Sequence, residues 1–206
     1  MIIIWLGLTL MFLAACADDG VTPSAAVTAA ALDTEAEALD EPRADSDHGR
    51  ELHVAKNGDD GGDGSAENPW LTLQHAVEQA LPGDTIFVHE GEYVGCRIER
   101  SGTPEMPITL QAAPGETAVI AAPGPENKHE SNIEIETWEG DGRVRHWVIS
   151  GFEVRNAPGW GIDSRGSAEG HNQDITIRGN RVHHNGLNSE DTGIFAAFSD
   201  DVLIEN

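Results

Sequence analysis

The reactive inventory of this chain is dominated by carboxylates. Of 206 residues, 36 are Asp or Glu against 12 Lys or Arg, for a formal charge of −24. Carboxylate oxygens are the donors that a hard cation such as calcium prefers. Glu190, Asp191, Asp200 and Asp201 flank Gly193-Ile194. If successive turns of the chain stack there, Asp191, Asp200 and Asp201 become candidate calcium ligands on one loop face. The competing reading is a solvated acidic loop. An earlier run, Asp59, Asp60 and Asp63 in NGDDGGDG, lacks the alternating ligand order and terminal Glu of a helix-loop-helix calcium site. It reads as a turn. His183 and His184 are neighbours in a strand-like stretch, so they point to opposite faces and at most one joins an ion site. Trp138 and Trp160 sit in loop-like sequence, and Trp160 is flanked by Gly159 and Gly161. Trp160 is the candidate platform for a sugar ring, whose C–H groups stack on an aromatic face; core or edge packing is its alternative. Cys96 alternates with Val94 and Ile98, which predicts a small buried residue and not a nucleophile.

The elements that would position these groups begin after a long leader. Residues 1–15 form an apolar run too short to span a bilayer as a stable helix but suited to a signal peptide. It ends Leu13-Ala14-Ala15-Cys16, which resembles the lipobox of bacterial lipoproteins and makes Cys16 the expected lipid acceptor. The alternative is an ordinary signal peptide that carries a cysteine. By the same resemblance, Ala17 in place of Asp favours the outer membrane or cell surface. With Cys16 acylated, Cys96 has no disulfide partner. From Ala17 to Arg50 nine acids face only Arg43 and Arg50, with almost no large apolar groups, which predicts an extended tether.

Leu52 and Val54 then suggest a short strand. Leu73, Ala76, Val77, Ala80 and Leu81 follow at helical spacing, ended by Pro82-Gly83, so one apolar stripe covers something. Strands are expected over 85–89 and 91–100. Beyond them, short apolar pairs recur between loops rich in Gly, Asn, Asp and Pro. Asp174-Ile175-Thr176-Ile177 returns as Asp201-Val202-Leu203-Ile204 after 27 residues, and His146-Trp147-Val148-Ile149 precedes it by 28. Gly161-Ile162 and Gly193-Ile194 form a second echo. Asn180, Asn185 and Asn206 follow strands where left-handed turns are expected. Such a unit marks a solenoid, in which each turn of chain buries its apolar face on the next.

These segments resemble a known group. HVAKNGDDGGDGSAENPWLTLQHAVEQALPGDTIFVHEGEYVG is similar to the N-terminal cap of secreted right-handed parallel β-helix proteins, which include pectate lyases and alginate or chondroitin lyases. SGTPEMPITLQAAPGETAVI resembles their first full coil, and HWVISGFEVRNAPGWGI and ITIRGNRVHHNGLNSEDTGIF resemble later coils of the pectate lyase branch. The resemblance implies an all-β fold, a right-handed parallel β-helix with an N-terminal capping helix. It is expected to be C-terminally incomplete, because the sequence stops directly after a strand. Residues 1–15 are then signal peptide, 16–50 tether, 51–100 cap and first strands, and 101–206 coils.

Lyases of this group, by resemblance, use calcium to acidify the carbon beside the uronate carboxylate and a Lys or Arg as base. Lys56 falls in the cap and Lys128 in an irregular loop, so neither matches that base and no catalytic residue is carried over. The expected protein is a surface lipoprotein that acts on or binds extracellular polysaccharide, its full-length parent being a calcium-dependent polyuronate lyase. A non-catalytic glycan-binding or structural β-helix is the alternative. The charge disfavours nucleic acid. An anionic glycan would need calcium to bridge carboxylate to carboxylate. A monomer attached to membrane through the Cys16 lipid is expected.

Overall fold

The computed structural model describes residues 49–137, 141–187 and 193–205. Cys16, Trp138, Glu190, Asp191 and Asn206 lie outside them, as do the leader and the tether to residue 48. Strand β1 (Glu51–Val54) is followed by a long turn and helix α1 (Leu73–Gln79). A complete coil then runs through β2 (Thr85–Val88), β3 (Gly91–Val94) and β4 (Cys96–Ile98). The next is β5 (Ile108–Ala112), β6 (Ala118–Ala122) and β7 (Ile133–Ile135). It is followed by β8 (Arg145–Ser150), β9 (Glu153–Arg155) and β10 (Ile162–Arg165). A fourth comprises β11 (Asn172–Arg178), β12 (Arg181–His183) and β13 (Ile194–Ala197), and β14 (Ser199–Glu205) opens a fifth.

Stacking the coils makes three parallel sheets. The first is ordered β1-β2-β5-β8-β11-β14, the second β3-β6-β9-β12 and the third β4-β7-β10-β13. The period read from the sequence is the register. Ile175 lies opposite Trp147 on one side and Val202 on the other, and Ile162 pairs with Ile194. Inside, Leu52, Ile86, Leu110, Ile149 and Ile177 form one continuous column of buried side chains. Each coil thus removes its neighbour's apolar face from water, the main favourable contribution to such a fold.

Helix α1 closes this column at its start. Thr72 caps it by accepting from the His75 N–H at 3.2 Å, and Leu73, Ala76 and Val77 are buried against β1 and β4. Gln74 does more than cover. Its amide accepts from the Arg97 N–H at 2.8 Å and donates to the Arg97 carbonyl at 3.3 Å, replacing the strand that the edge of β4 lacks. Asp60 accepts from the Leu71 and Thr72 amides, and Asp59 and Asp63 bond the amides two residues on, so the NGDDGGDG run is indeed a turn. Asp84 ties helix to sheet. Its carboxylate accepts from the Arg50 and Leu81 amides at 2.8 Å and from the Arg50 guanidinium.

Three local expectations are corrected. The helix stops at Gln79, because Ala80 turns to an extended ψ of 141°, and Leu81 leaves the stripe to stand half exposed. Residues 91–100 are two strands broken at Gly95, where a Cβ would lie 1.7 Å from the Asn132 carbonyl oxygen. That corner shifts the alternation, so Val94 points out, 53% exposed, while Cys96 and Ile98 are fully buried. Asn180 and Asn185 are not the left-handed residues; Gly179, His184 and Gly186 are. The asparagines turn inward to join coils. The Phe152 N–H donates to Asn180 Oδ1 and Asn180 Nδ2 donates to the Ile149 carbonyl, both at 2.9 Å, and Asn185 bridges Ala157 and Val154 in the same way.

Candidate functional site

The third sheet carries an unusual group of side chains among the described residues. In β7 the alternation puts Ile133 and Ile135 inside, so Glu134 must point out. Stacking aligns it with Arg97 below and Asp163 above, and Asp163 in turn with Phe195. On an open face these groups would be solvated. Here Glu134 and Asp163 have no exposed surface, and Arg97 and Glu136 almost none. The loop between β6 and β7 folds back over them: the Lys128 and His129 amides donate to Glu134 Oε2 at 2.9 and 3.0 Å.

The result is a covered ionic cluster. His129 Nε2 lies 3.1 Å from Glu136 Oε2, Arg97 Nε 3.6 Å from Glu134 Oε1, and Arg165 Nη2 3.2 Å from Asp163 Oδ2. Glu134 Oε1 and Asp163 Oδ1 are buried without a hydrogen-bond partner. Burial raises the Asp163 and Glu136 carboxyls above the usual carboxylate range; Arg165 pulls the first back down, and His129 the second. Atoms of His129, Glu134 and Glu136 that could ligate an ion all lie within 4.8 Å of one another.

Beside the cluster lies an apolar step. Trp160, just before β10, stacks on Phe195 of β13 with centroids 4.8 Å apart, and the Arg165 guanidinium sits 4.9 Å from one ring centre and 4.8 Å from the other. Both rings are half-buried. Such a stack joins a flat apolar surface to a cation that suits carboxylate.

Asp200 and Asp201 fall elsewhere, in β14 of the first sheet. Asp200 is held by His171 Nδ1 at 3.1 Å. Asp201 has φ 55°, in a column of left-handed residues with Asp174 and His146, and His146 Nδ1 lies 3.2 Å from Asp174 Oδ2. His183 and His184 do not diverge as alternation predicts. His184 leaves the strand at φ 55°, which brings the two Nδ1 atoms within 2.6 Å, while His183 Nε2 meets Glu153 at 3.1 Å. Cys96 is inside, its thiol raised to about 12 by burial.

Sequence reasoning missed the cluster. The signal was present in Ile133-Glu134-Ile135-Glu136, where acids occupy the outward positions of a core strand, one coil before Ile162-Asp163.

Comparison with known proteins agrees with this architecture. A family model described as "Pel9A-like, right handed beta helix region" matches residues 52–206. Pectate lyase PEL9 of Emericella nidulans is 28% identical over 142 residues, 63% of this chain and 33% of that protein. The uncharacterized protein YwoF of Bacillus subtilis is 37% identical over 87 residues, 42% of this chain and 18% of that one. Among solved structures, pectate lyase Pel9A superposes with a TM-score of 0.47 at 22% identity, covering 66% of this chain and 35% of that chain. The chain therefore spans a third or less of the length of the curated relatives it matches. From the helical register of its coils and the match across them, the chain belongs to the Pel9A-like right-handed β-helix family.

Proposed function

We propose that these coils belong to a lipid-anchored surface protein that engages extracellular polyuronate, with calcium as the bridge, and that the parent protein cleaves it by elimination. The observation that carries this reading is the Trp160–Phe195–Arg165 stack. It offers a ring face for the sugar and a guanidinium for the uronate carboxylate. Family membership and the pectate lyase relative support a polyuronate as the substrate class. Calcium fits the carboxylates of β14: the Asp200 side chain is 52% exposed and Asp201 is exposed as well, and both offer only oxygen. Asp191 is the proposed third donor. Bound there, calcium would neutralise uronate and protein carboxylates together, while Trp160 on the third sheet would stack on a different sugar of the same polymer.

The test is calorimetric titration with polygalacturonate, with and without calcium. Trp160→Ala should weaken binding about 10-fold, as loss of a stacking platform does, and chelation should abolish it. Binding indifferent to both changes would remove the proposal. Palmitate labelling that is lost in Cys16→Ser checks the anchor; labelling that persists argues against it.

A non-catalytic binder is the second reading, favoured by Lys56. Its ammonium lies 5.0 Å from the Tyr93 ring centre in the cap region, away from the Trp160 step. Ultraviolet absorbance of an unsaturated product distinguishes the two.

A further inference from the structure

We propose that His129, Glu134 and Glu136 form a binding site for a divalent first-row transition ion, with Zn²⁺ preferred, distinct from any calcium held on the first sheet. Three features of the cluster point there.

The first is donor chemistry. One imidazole nitrogen with two carboxylate oxygens suits zinc or manganese, whereas calcium takes six to eight oxygens and seldom nitrogen.

The second is geometry. Ligands about 2.0 Å from a tetrahedral ion stand about 3.3 Å apart. His129 Nε2 and Glu136 Oε2 are already 3.1 Å apart, and the three donors fit within 4.8 Å. Glu134 is prepared for the third position. Its Oε2 is fixed by the Lys128 and His129 amides, and its fully buried Oε1 has no hydrogen-bond partner. Backbone donors that orient a ligand carboxylate in this way are a regular part of metal sites.

The third is charge. The Glu134 and Glu136 side chains are almost wholly buried and offer ligand oxygens within 4.8 Å of each other, which concentrates an excess of negative charge in one place. A divalent ion cancels that excess. To bind it, His129 presents its Nε2 lone pair and keeps its proton on Nδ1, and the ion takes the place between imidazole and carboxylate. Arg97, 3.6 Å from Glu134 Oε1, then turns to its other partner, Glu99.

The experiment uses the full chain, stripped by chelator and titrated separately with Zn²⁺, Mn²⁺ and Ca²⁺ by calorimetry, with bound metal counted by mass spectrometry. One Zn²⁺ per chain is expected, with Mn²⁺ weaker, following the ordinary affinity order. His129→Ala and Glu136→Gln should each weaken Zn²⁺ at least about 10-fold, and His183→Ala, at the separate histidine pair, should leave it unchanged. Should either variant misfold by circular dichroism, X-ray absorption of the Zn²⁺-loaded wild-type chain replaces it and should show one imidazole with oxygen ligands. An all-oxygen shell, no zinc uptake, or zinc binding that survives both substitutions overturns the site. Because no glycan enters the measurement, failure here is separate from failure of the polysaccharide reading.

Discussion

Asp163 has no exposed surface, and one of its oxygens lacks a hydrogen-bond partner, so its anionic form is held at a cost that Arg165 only partly offsets. Its carboxyl titrates above the unfolded value of 3.8, and burial is the largest cause. The folded state therefore binds more protons than the unfolded state just above that pH. Stability contributed by this group is complete below 3.8 and is lost as pH rises through the raised folded value. Carboxylates with lowered values, Asp60 and Asp141 among them, act in the opposite sense, so the comparison must be made between variants. Asp163→Asn should show a Tm that gains on wild type as pH is raised from 4 toward 7 in chelator. A difference that stays flat, measured by thermal melts at closely spaced pH, would mean that the carboxyl is not destabilised by its surroundings. The outward placing of these acids was legible in the sequence, but their burial was not. Outward positions of a strand are ordinarily solvated, and only the path of the covering loop, which the Lys128 and His129 amides anchor, reverses that expectation.

At the scale of single elements, the ends and corners decide stability. Gln74 stands in for a missing strand, so Gln74→Ala should cost about 1 kcal/mol by leaving the Arg97 amide without its protein partner. Asp84 is 2% exposed and serves two backbone amides and a guanidinium. Asp84→Ala should cost about 2 kcal/mol, since it leaves two part-buried donor contacts and a partly exposed guanidinium without their shared acceptor. Gly95→Ala should cost at least about 2 kcal/mol, because the Asn132 carbonyl that its Cβ meets belongs to the backbone of the next coil. Urea denaturation of the three variants checks the ranking, and a neutral Gly95→Ala would contradict the close approach. The helix and the strand faces were legible through their periodicity. Corners were not: the break at Gly95 and the left-handed His184 are contact effects between coils, and they moved Val94 outward and joined His183 to His184.

The described coils form a stack in which each touches chiefly the coils before and after it. Protection should therefore vary along the stack and not be uniform. In the 206-residue chain taken by itself, amides of β8 and β11, paired on both sides, should exchange more slowly than those of β14, which pairs with β11 alone there. Hydrogen exchange read by mass spectrometry tests this, and equal rates would indicate all-or-none opening. The period of 27 and 28 residues made the stack readable, because neighbouring coils repeat the same interior positions. The same architecture has a mechanical side. A pull delivered through the chain before Gly49 meets β1 at the terminal position of the first sheet, where bonds to β2 would open one after another, like a zip. Arg50 stands in the path of that force, and its grip on Asp84, thirty-four residues away, spreads the load onto the loop that leads from α1 into β2. Tension at that end must break an ion pair and a part-buried hydrogen bond together before any strand can peel.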